Sequence, residues 1–282
     1  MIRRLTATLL AASLAAAALT GGQAAHAAAA PADPVKSLRA QFVEGRGVLV
    51  TETSRSKLPG DARTAPTRTT GTIAFGRHGV VGADLTSKYP PSPELGDELQ
   101  EIELGRTTYV RGFWWGPLPE GKKWILFNGK DSFWGQAHQR ADQVIDVFDP
   151  RTLRLLLAKA TVRKGGEYRG VVTSKELYKK SELMFVEFPK VSYRLFLDRN
   201  RLPIRLVTEY QYTSVGYDKD GNKIKDSYHP LVDTRYSGYG TMVAIAPPPA
   251  DEVVDFDDLE MPSGEQSDDE PLTLDRNSIS AR

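Results

Sequence analysis

Two neighbouring runs late in the chain constrain the fold most. In VSYRLFL, 191–197, Tyr193, Leu195 and Leu197 alternate with Arg194, Phe196 and Asp198. In the next run Ile204, Leu206, Thr208, Tyr210 and Tyr212 alternate with Arg205, Val207, Glu209 and Gln211. A period of two places one set on each face of an extended strand. Both strands therefore face one way with apolar groups and the other with mostly polar ones. The apolar face has to be covered by something else in the molecule.

The rest of the chain repeats this pattern. Residues 45–54 (GRGVLVTETS) read as a strand, and TGTIAFGR and GVVGADLTSKY as two more around Gly76 to Gly79. Gly105-Arg106 forms a two-residue turn between alternating strands, a hairpin signal, and Gly165-Gly166 and Tyr217 to Asn222 mark two further hairpins. Helices are few. Asp33-Pro34 and Asp149-Pro150 each supply an N-cap followed by proline at the first helical position, and Leu153, Leu156 and Leu157 lie on one face of the second helix. SKELYKKSELMF adds a short third helix. A long antiparallel meander with two or three helices is an α+β pattern in which the helices cover one sheet face.

No motif for catalysis accompanies these elements. His78, His138 and His229 are the histidines after residue 27, and none is near another, so no local zinc pair exists. No G-x-S-x-G elbow occurs. Ser54 to Lys57 matches S-x-x-K, but the pattern needs a helix and here ends a strand. Asp218, Asp220 and Asn222 imitate the start of a calcium loop, with His229 where the closing glutamate belongs, which favours a plain turn. No cofactor is expected.

The first 27 residues read as a secretory signal, with Arg3 and Arg4, an Ala/Leu-rich stretch and Ala25-His26-Ala27 as the cleavage site. The expected organisation is a signal at 1–27, one domain at 28–255 and an acidic, disordered tail at 256–282. Zero cysteines in an exported chain exclude disulfides, thiolate metal sites and lipid attachment to cysteine. Residues 28–250 carry 33 Lys and Arg against 25 Asp and Glu, whereas 251–282 carry 11 acids and two arginines. A basic body suits the anionic lipid head groups or cell-wall polymers of an anionic envelope surface, and nucleic acid is not expected.

Three of the four tryptophans lie between 111 and 129, and Trp134 follows. If Trp114 and Trp115 are extended, they point to opposite faces, so one sits at a surface or a cavity mouth. Such a residue beside Pro117 and Pro119 marks a contact with lipid or a partner.

Tyr109-Val110, Gly121-Lys122-Lys123-Trp124, FDPRTLRLLLAKA, GEYRGVVT, YRLFLDRNRLPIRLVTEY and DTRYSGYG followed by IAPPPADEVVD form an ordered series. In this order they resemble the extracytoplasmic lipid carriers of the LolA/LolB-like superfamily, particularly actinobacterial envelope lipoproteins of the LppX/LprG kind. The resemblance covers roughly 35–255. It implies a strongly curved antiparallel half-barrel whose concave face is covered by helices and encloses an apolar cavity for a lipid or glycolipid, with no enzymatic activity. On that expectation Ile73, Phe75, Tyr109, Trp124, Leu195, Leu197, Ile204 and Leu206 line the cavity. Trp114 and Trp115 guard its mouth, and Lys122 and Lys123 meet an anionic head group. Leu19-Thr20-Gly21-Gly22 looks like a lipobox with glycine in the cysteine position, so the protein is expected in the envelope space or outside the cell, unanchored. The resemblance also implies an alternative, an envelope interaction or stress-sensing protein on the same fold, with a filled cavity and a membrane-protein partner.

Overall fold

The computed structural model describes residues 33–57, 65–90, 97–112, 118–128, 141–178, 190–217 and 222–259. Thirteen strands form one sheet: β1 Arg46–Lys57, β2 Thr67–Gly76, β3 Gly79–Lys88, β4 Glu98–Leu104, β5 Thr107–Arg111, β6 Trp124–Asn128, β7 Val162–Lys164, β8 Glu167–Val172, β9 Val191–Leu197, β10 Pro203–Tyr210, β11 Tyr212–Tyr217, β12 Lys223–Met242 and β13 Val253–Asp255. Their order is β13-β6-β5-β4-β3-β2-β1-β12-β10-β9-β8-β7, with β11 paired to β12 beside this path. The two ends do not meet, so the sheet is an open half-barrel. All its ladders are antiparallel except β13 on β6.

Hairpin connectivity explains this order. From β1 to β6 each strand pairs with the next, as short connections favour. β12 is the exception: its 20 residues reach β11, β10 and β1, and so join the early meander to the late one. The Gly105-Arg106 turn and the Gly165-Gly166 turn both close hairpins, and both glycines of the latter have positive φ (59° and 84°). That backbone matches the twist of the flanking strands.

The helices form where capping chemistry starts them. Asp33 accepts from Val35 N–H and Asp149 from Arg151 N–H, each at 2.9 Å, with Pro34 and Pro150 opening α1 (Pro34–Arg39) and α2 (Pro150–Lys159). The third, α3 (Ser174–Leu177), starts on a capping box between Thr173 and Glu176. Leu38 from α1 and Leu153 and Leu156 from α2 are buried against Val48, Val50, Ile73, Phe75, Val191, Tyr193, Leu195 and Leu206. Phe42, Phe148 and Tyr239 surround Phe75 in this core, with ring centroids 5.4 to 6.5 Å from it, and Tyr236 meets Phe148 edge-on at 4.9 Å. Helix and sheet approach closely at Gly170. A Cβ there would lie 2.4 Å from the Tyr193 hydroxyl and 2.8 Å from the Lys159 carbonyl oxygen. Tyr193 uses that hydroxyl to donate to the Leu156 carbonyl at 2.6 Å, deep in the core.

Candidate lipid-binding face

The ladder registers assign each side chain to the helix-covered face or the outer face. Val48, Val50 and Glu52 of β1 share the covered face with Ile73 and Phe75 of β2 and with Ala83 and Leu85 of β3. The same register continues through Leu99, Glu101 and Glu103 of β4, Thr108 and Val110 of β5, and Ile125 and Phe127 of β6. On the other side of β1 it runs through Tyr236, Thr234 and Val232 to Leu206 and Thr208, and on to Leu195 and Tyr193.

Of the residues expected at a ligand cavity, Ile73, Phe75, Leu195, Leu197 and Leu206 lie on this face and are packed into the main core. Tyr109 and Trp124 are on the outer face: Tyr109 stands opposite Leu126 and Ile102, and the Arg111 guanidinium lies 5.0 Å from the Trp124 ring centroid. Ile204 is 39% exposed. It is the extra residue of a bulge, since Pro203 pairs with Leu197 and Arg205 with the next residue, Phe196. One unpaired residue re-aims the side chain and breaks the alternation seen in the sequence. The expected inward position of these three residues is therefore corrected by the register.

The mouth residues divide similarly. Trp114 and Trp115 lie outside the described residues. Lys122 and Lys123 hold the segment after β12: Lys122 Nζ donates to the Asp251 carbonyl at 3.0 Å, and Lys123 Nζ to Glu252 Oε1 at 2.5 Å. Lys123 N–H donates to the Glu252 carbonyl, and Asn128 Nδ2 to Asp255 Oδ2. These contacts seat β13 along β6 and bring Phe256 onto Phe127, 4.8 Å between centroids.

The covered face holds two apolar regions. The main core lies under α1, α2 and 145–148. A second cluster, Leu99, Val110, Ile125 and Phe127, is flanked among the described residues by Tyr89, Leu118, Val254, Phe256 and Leu259, none of them in a helix longer than one turn. Between and beside them runs a polar band that sequence reading missed: Glu52, Thr69, Ser87, Glu101, Glu103, Thr108, Gln143, Thr208 and Thr234 are all buried. Its centre is a directional chain. Thr208 Oγ1 donates to Gln143 Oε1 at 2.9 Å, Gln143 Nε2 to Thr234 Oγ1 at 2.9 Å, and Thr234 Oγ1 to Glu52 Oε2 at 2.6 Å. Asp142 N–H donates to Glu52 Oε1 at 2.9 Å, placed by the left-handed backbone of Ala141 (φ 56°).

Burial pushes the Glu52 carboxyl up to about 8, and the nearby Asp142 and Asp233 charges push the same way against the two hydrogen bonds. Burial also raises the Tyr89 and Tyr210 hydroxyls, with Asp142 and Glu52 among the charges adding to it. At neutral pH the Glu52 carboxyl therefore largely keeps its proton, and the hydrogen-bonded chain from Thr208 to Glu52 ends on a neutral acid. The sequence carried one signal for it. Glu52 is in phase with Val48 and Val50, and Glu101 and Glu103 with Leu99, so charged residues occupy apolar positions of the alternation.

Catalytic and metal chemistry finds no assembly among the described residues. Ser54 and Lys57 lie in extended β1 rather than on a helix, and His78 and His229 are exposed on β-turn and strand positions far apart in the topology. No group of three or more His, Asp or Glu among the described residues is placed to hold a metal ion. No helix among them is long and apolar enough to cross a membrane.

No protein-family model matches the chain, and no curated protein matches it either. Among solved structures it is similar to a LolA superfamily protein from Nitrosomonas europaea (12% identity, TM-score 0.30, covering 76% of this chain and 93% of that one). It is also similar to a DUF1329 family protein from Desulfovibrio piger (13%, TM-score 0.29, 76% and 96%) and to a putative outer membrane lipoprotein-sorting protein domain from Vibrio parahaemolyticus (7%, TM-score 0.26, 73% and 89%). Likenesses this distant leave the fold description to rest on the strand order and register above.

Proposed function

We propose that the protein is an exported, non-enzymatic lipid carrier that holds acyl chains against the covered face of its open sheet, in the manner of LolA/LolB-like carriers. The observation that carries this reading is the second apolar cluster on β4, β5 and β6. Among the described residues α1 and α2 pack on the main core, whereas Leu99, Val110, Ile125 and Phe127 are buried beneath Tyr89, Leu118, Val254, Phe256 and Leu259, an apolar cover outside the main helices that an acyl chain would displace and replace. The buried hydroxyls and carboxyls next to it suit the ester or sugar oxygens of a lipid or glycolipid head. On this reading Ile73, Phe75, Leu195, Leu197 and Leu206 are scaffold, and Trp114 and Trp115 guard the entrance.

The test is native mass spectrometry of the exported chain with organic extraction of whatever travels with it. A stoichiometric lipid adduct supports the carrier and identifies its ligand class. Loss of that adduct in Val110→Asp or Ile125→Asp, with Trp114→Ala or Trp115→Ala weakening it while the fold survives, places the chain on β5 and β6. An apo mass that resists loading with phospholipid sinks the reading. It favours the second one, an envelope interaction or sensing protein with a filled interior, which the dense aromatic packing around Phe75 supports.

A further inference from the structure

The outer face of β8, β9, β10 and β12 carries a continuous row of guanidinium groups. Glu167 Oε1 accepts from Arg169 at 2.7 Å and from Arg194 at 3.0 Å. The guanidinium carbons of Arg194 and Arg205 lie 5.4 and 5.3 Å from the Phe196 ring centroid. Arg205 grips Asp233 with two bonds, at 2.8 and 2.6 Å, and Arg235 Nε lies 4.0 Å from the same carboxylate. Four arginines thus share two carboxylates and one ring. The ladder registers carry the same face across β1 and β2, where exposed Arg55 stands opposite Leu231 and exposed Arg68 opposite Thr53, which in turn faces Asp233. Glu209 is the additional acid on this stretch, so the face keeps a clear positive excess. Further along the sheet the excess ends, because Lys88 and Arg111 are matched by Asp84 and Glu98.

Aliphatic side chains stand among these charges. Val171 is 49% exposed, Leu231 41% and Ile204 39%, all on the same outer face. The bulge that turns Ile204 away from the core is what places it there. Arginines alone suit any polyanion. Arginines interleaved with exposed aliphatics suit a surface that offers phosphates in a plane with hydrocarbon just beneath them. We propose that this face docks on the head-group layer of a bilayer rich in anionic phospholipid, with guanidinium groups on phosphates and Val171, Ile204 and Leu231 at the ester level. A carrier that loads on its covered face then meets the bilayer with the opposite face, so docking and lipid loading are separable.

The experiment is co-sedimentation of the full chain with vesicles of phosphatidylcholine alone and of equal parts phosphatidylcholine and phosphatidylglycerol. Binding to the anionic vesicles alone, weakened by added salt, is expected. Each basic residue near such a surface contributes about fivefold in affinity, so Arg55→Gln with Arg68→Gln lowers it roughly 25-fold. Ile204→Ser with Leu231→Ser weakens vesicle binding and leaves binding to soluble polyphosphate unchanged. Equal sedimentation with both vesicle types, or an arginine variant that binds like the parent, overturns the proposal. So does an aliphatic variant with full vesicle affinity, an outcome that points to a soluble anionic polymer instead. Because the lipid adduct concerns the other face, the adduct and the vesicle binding can each fail alone.

Discussion

The buried carboxyl of Glu52 makes a specific prediction about stability. Its pKa rises from an ordinary 4.5 to about 8 on folding, so between these values the folded chain binds a proton that the unfolded chain has released. Stability therefore falls as pH rises through this window, the reverse of a salt-bridged carboxylate. At about 1.4 kcal/mol per pH unit the loss between pH 4.5 and 8 is on the order of 5 kcal/mol, comparable to the whole stability of many domains. Glu52→Gln keeps the shape and an acceptor for Asp142 N–H, and removes the titration. Urea unfolding from pH 5 to pH 8.5 is the assay. The parent midpoint should drop steadily with pH and the variant midpoint should stay nearly level. The cost in the variant is the Thr234 hydroxyl, which loses its carboxyl acceptor, about 1 kcal/mol independent of pH. Parallel pH profiles for the two proteins would falsify the assignment of the buried proton to Glu52.

Gly170→Ala forces the new methyl against the Tyr193 hydroxyl and the end of α2; a loss of about 1–3 kcal/mol in denaturant midpoint is expected. Tyr193→Phe leaves the Leu156 carbonyl buried without its 2.6 Å donor, for a loss of about 1–3 kcal/mol, and the double variant should cost less than the sum because both act at one contact. Lys123→Ala removes an exposed ion pair to Glu252 and should change global stability by less than about 1 kcal/mol, while hydrogen exchange at Val253 to Asp255 speeds up. Glu167 is held down at about 2 by hydrogen bonds from Arg169 and then Arg194. What it adds to the arginine row is therefore complete above pH 4.5 and lost as pH falls toward 2, and a carboxyl NMR titration of parent and Arg169→Ala should show the midpoint rising in the variant.

Local chemistry was legible residue by residue. Asp33-Pro34 and Asp149-Pro150 start helices because a side-chain oxygen and a fixed φ suffice to begin one, whatever lies nearby. Gly105-Arg106 and Gly165-Gly166 close hairpins for a similarly local reason. The alternation over 191–197 survives intact, with Val191, Tyr193, Leu195 and Leu197 all buried. The α+β class and the antiparallel sheet follow from these elements together.

What alternation leaves open is the phase of a strand buried on both sides. In β6, Trp124, Ile125 and Phe127 are all buried, so nothing local says which of them faces the helices. Register inherited through β4 and β5 decides it, and puts Trp124 outside. Ile204 was misplaced because a bulge is set by how β9 and β10 pair, not by either strand alone. Lys122 and Lys123 found partners about 130 residues away, at Asp251 and Glu252, by way of the chain's return from β12 to the β6 edge. The sequence by itself determined which segments extend, where they turn and that one sheet face is apolar, because these depend on neighbours one to four residues apart. Only the tertiary structure decided which residues share that face and that acids lie buried in it, because register, bulges and burial are properties of strands meeting across the fold.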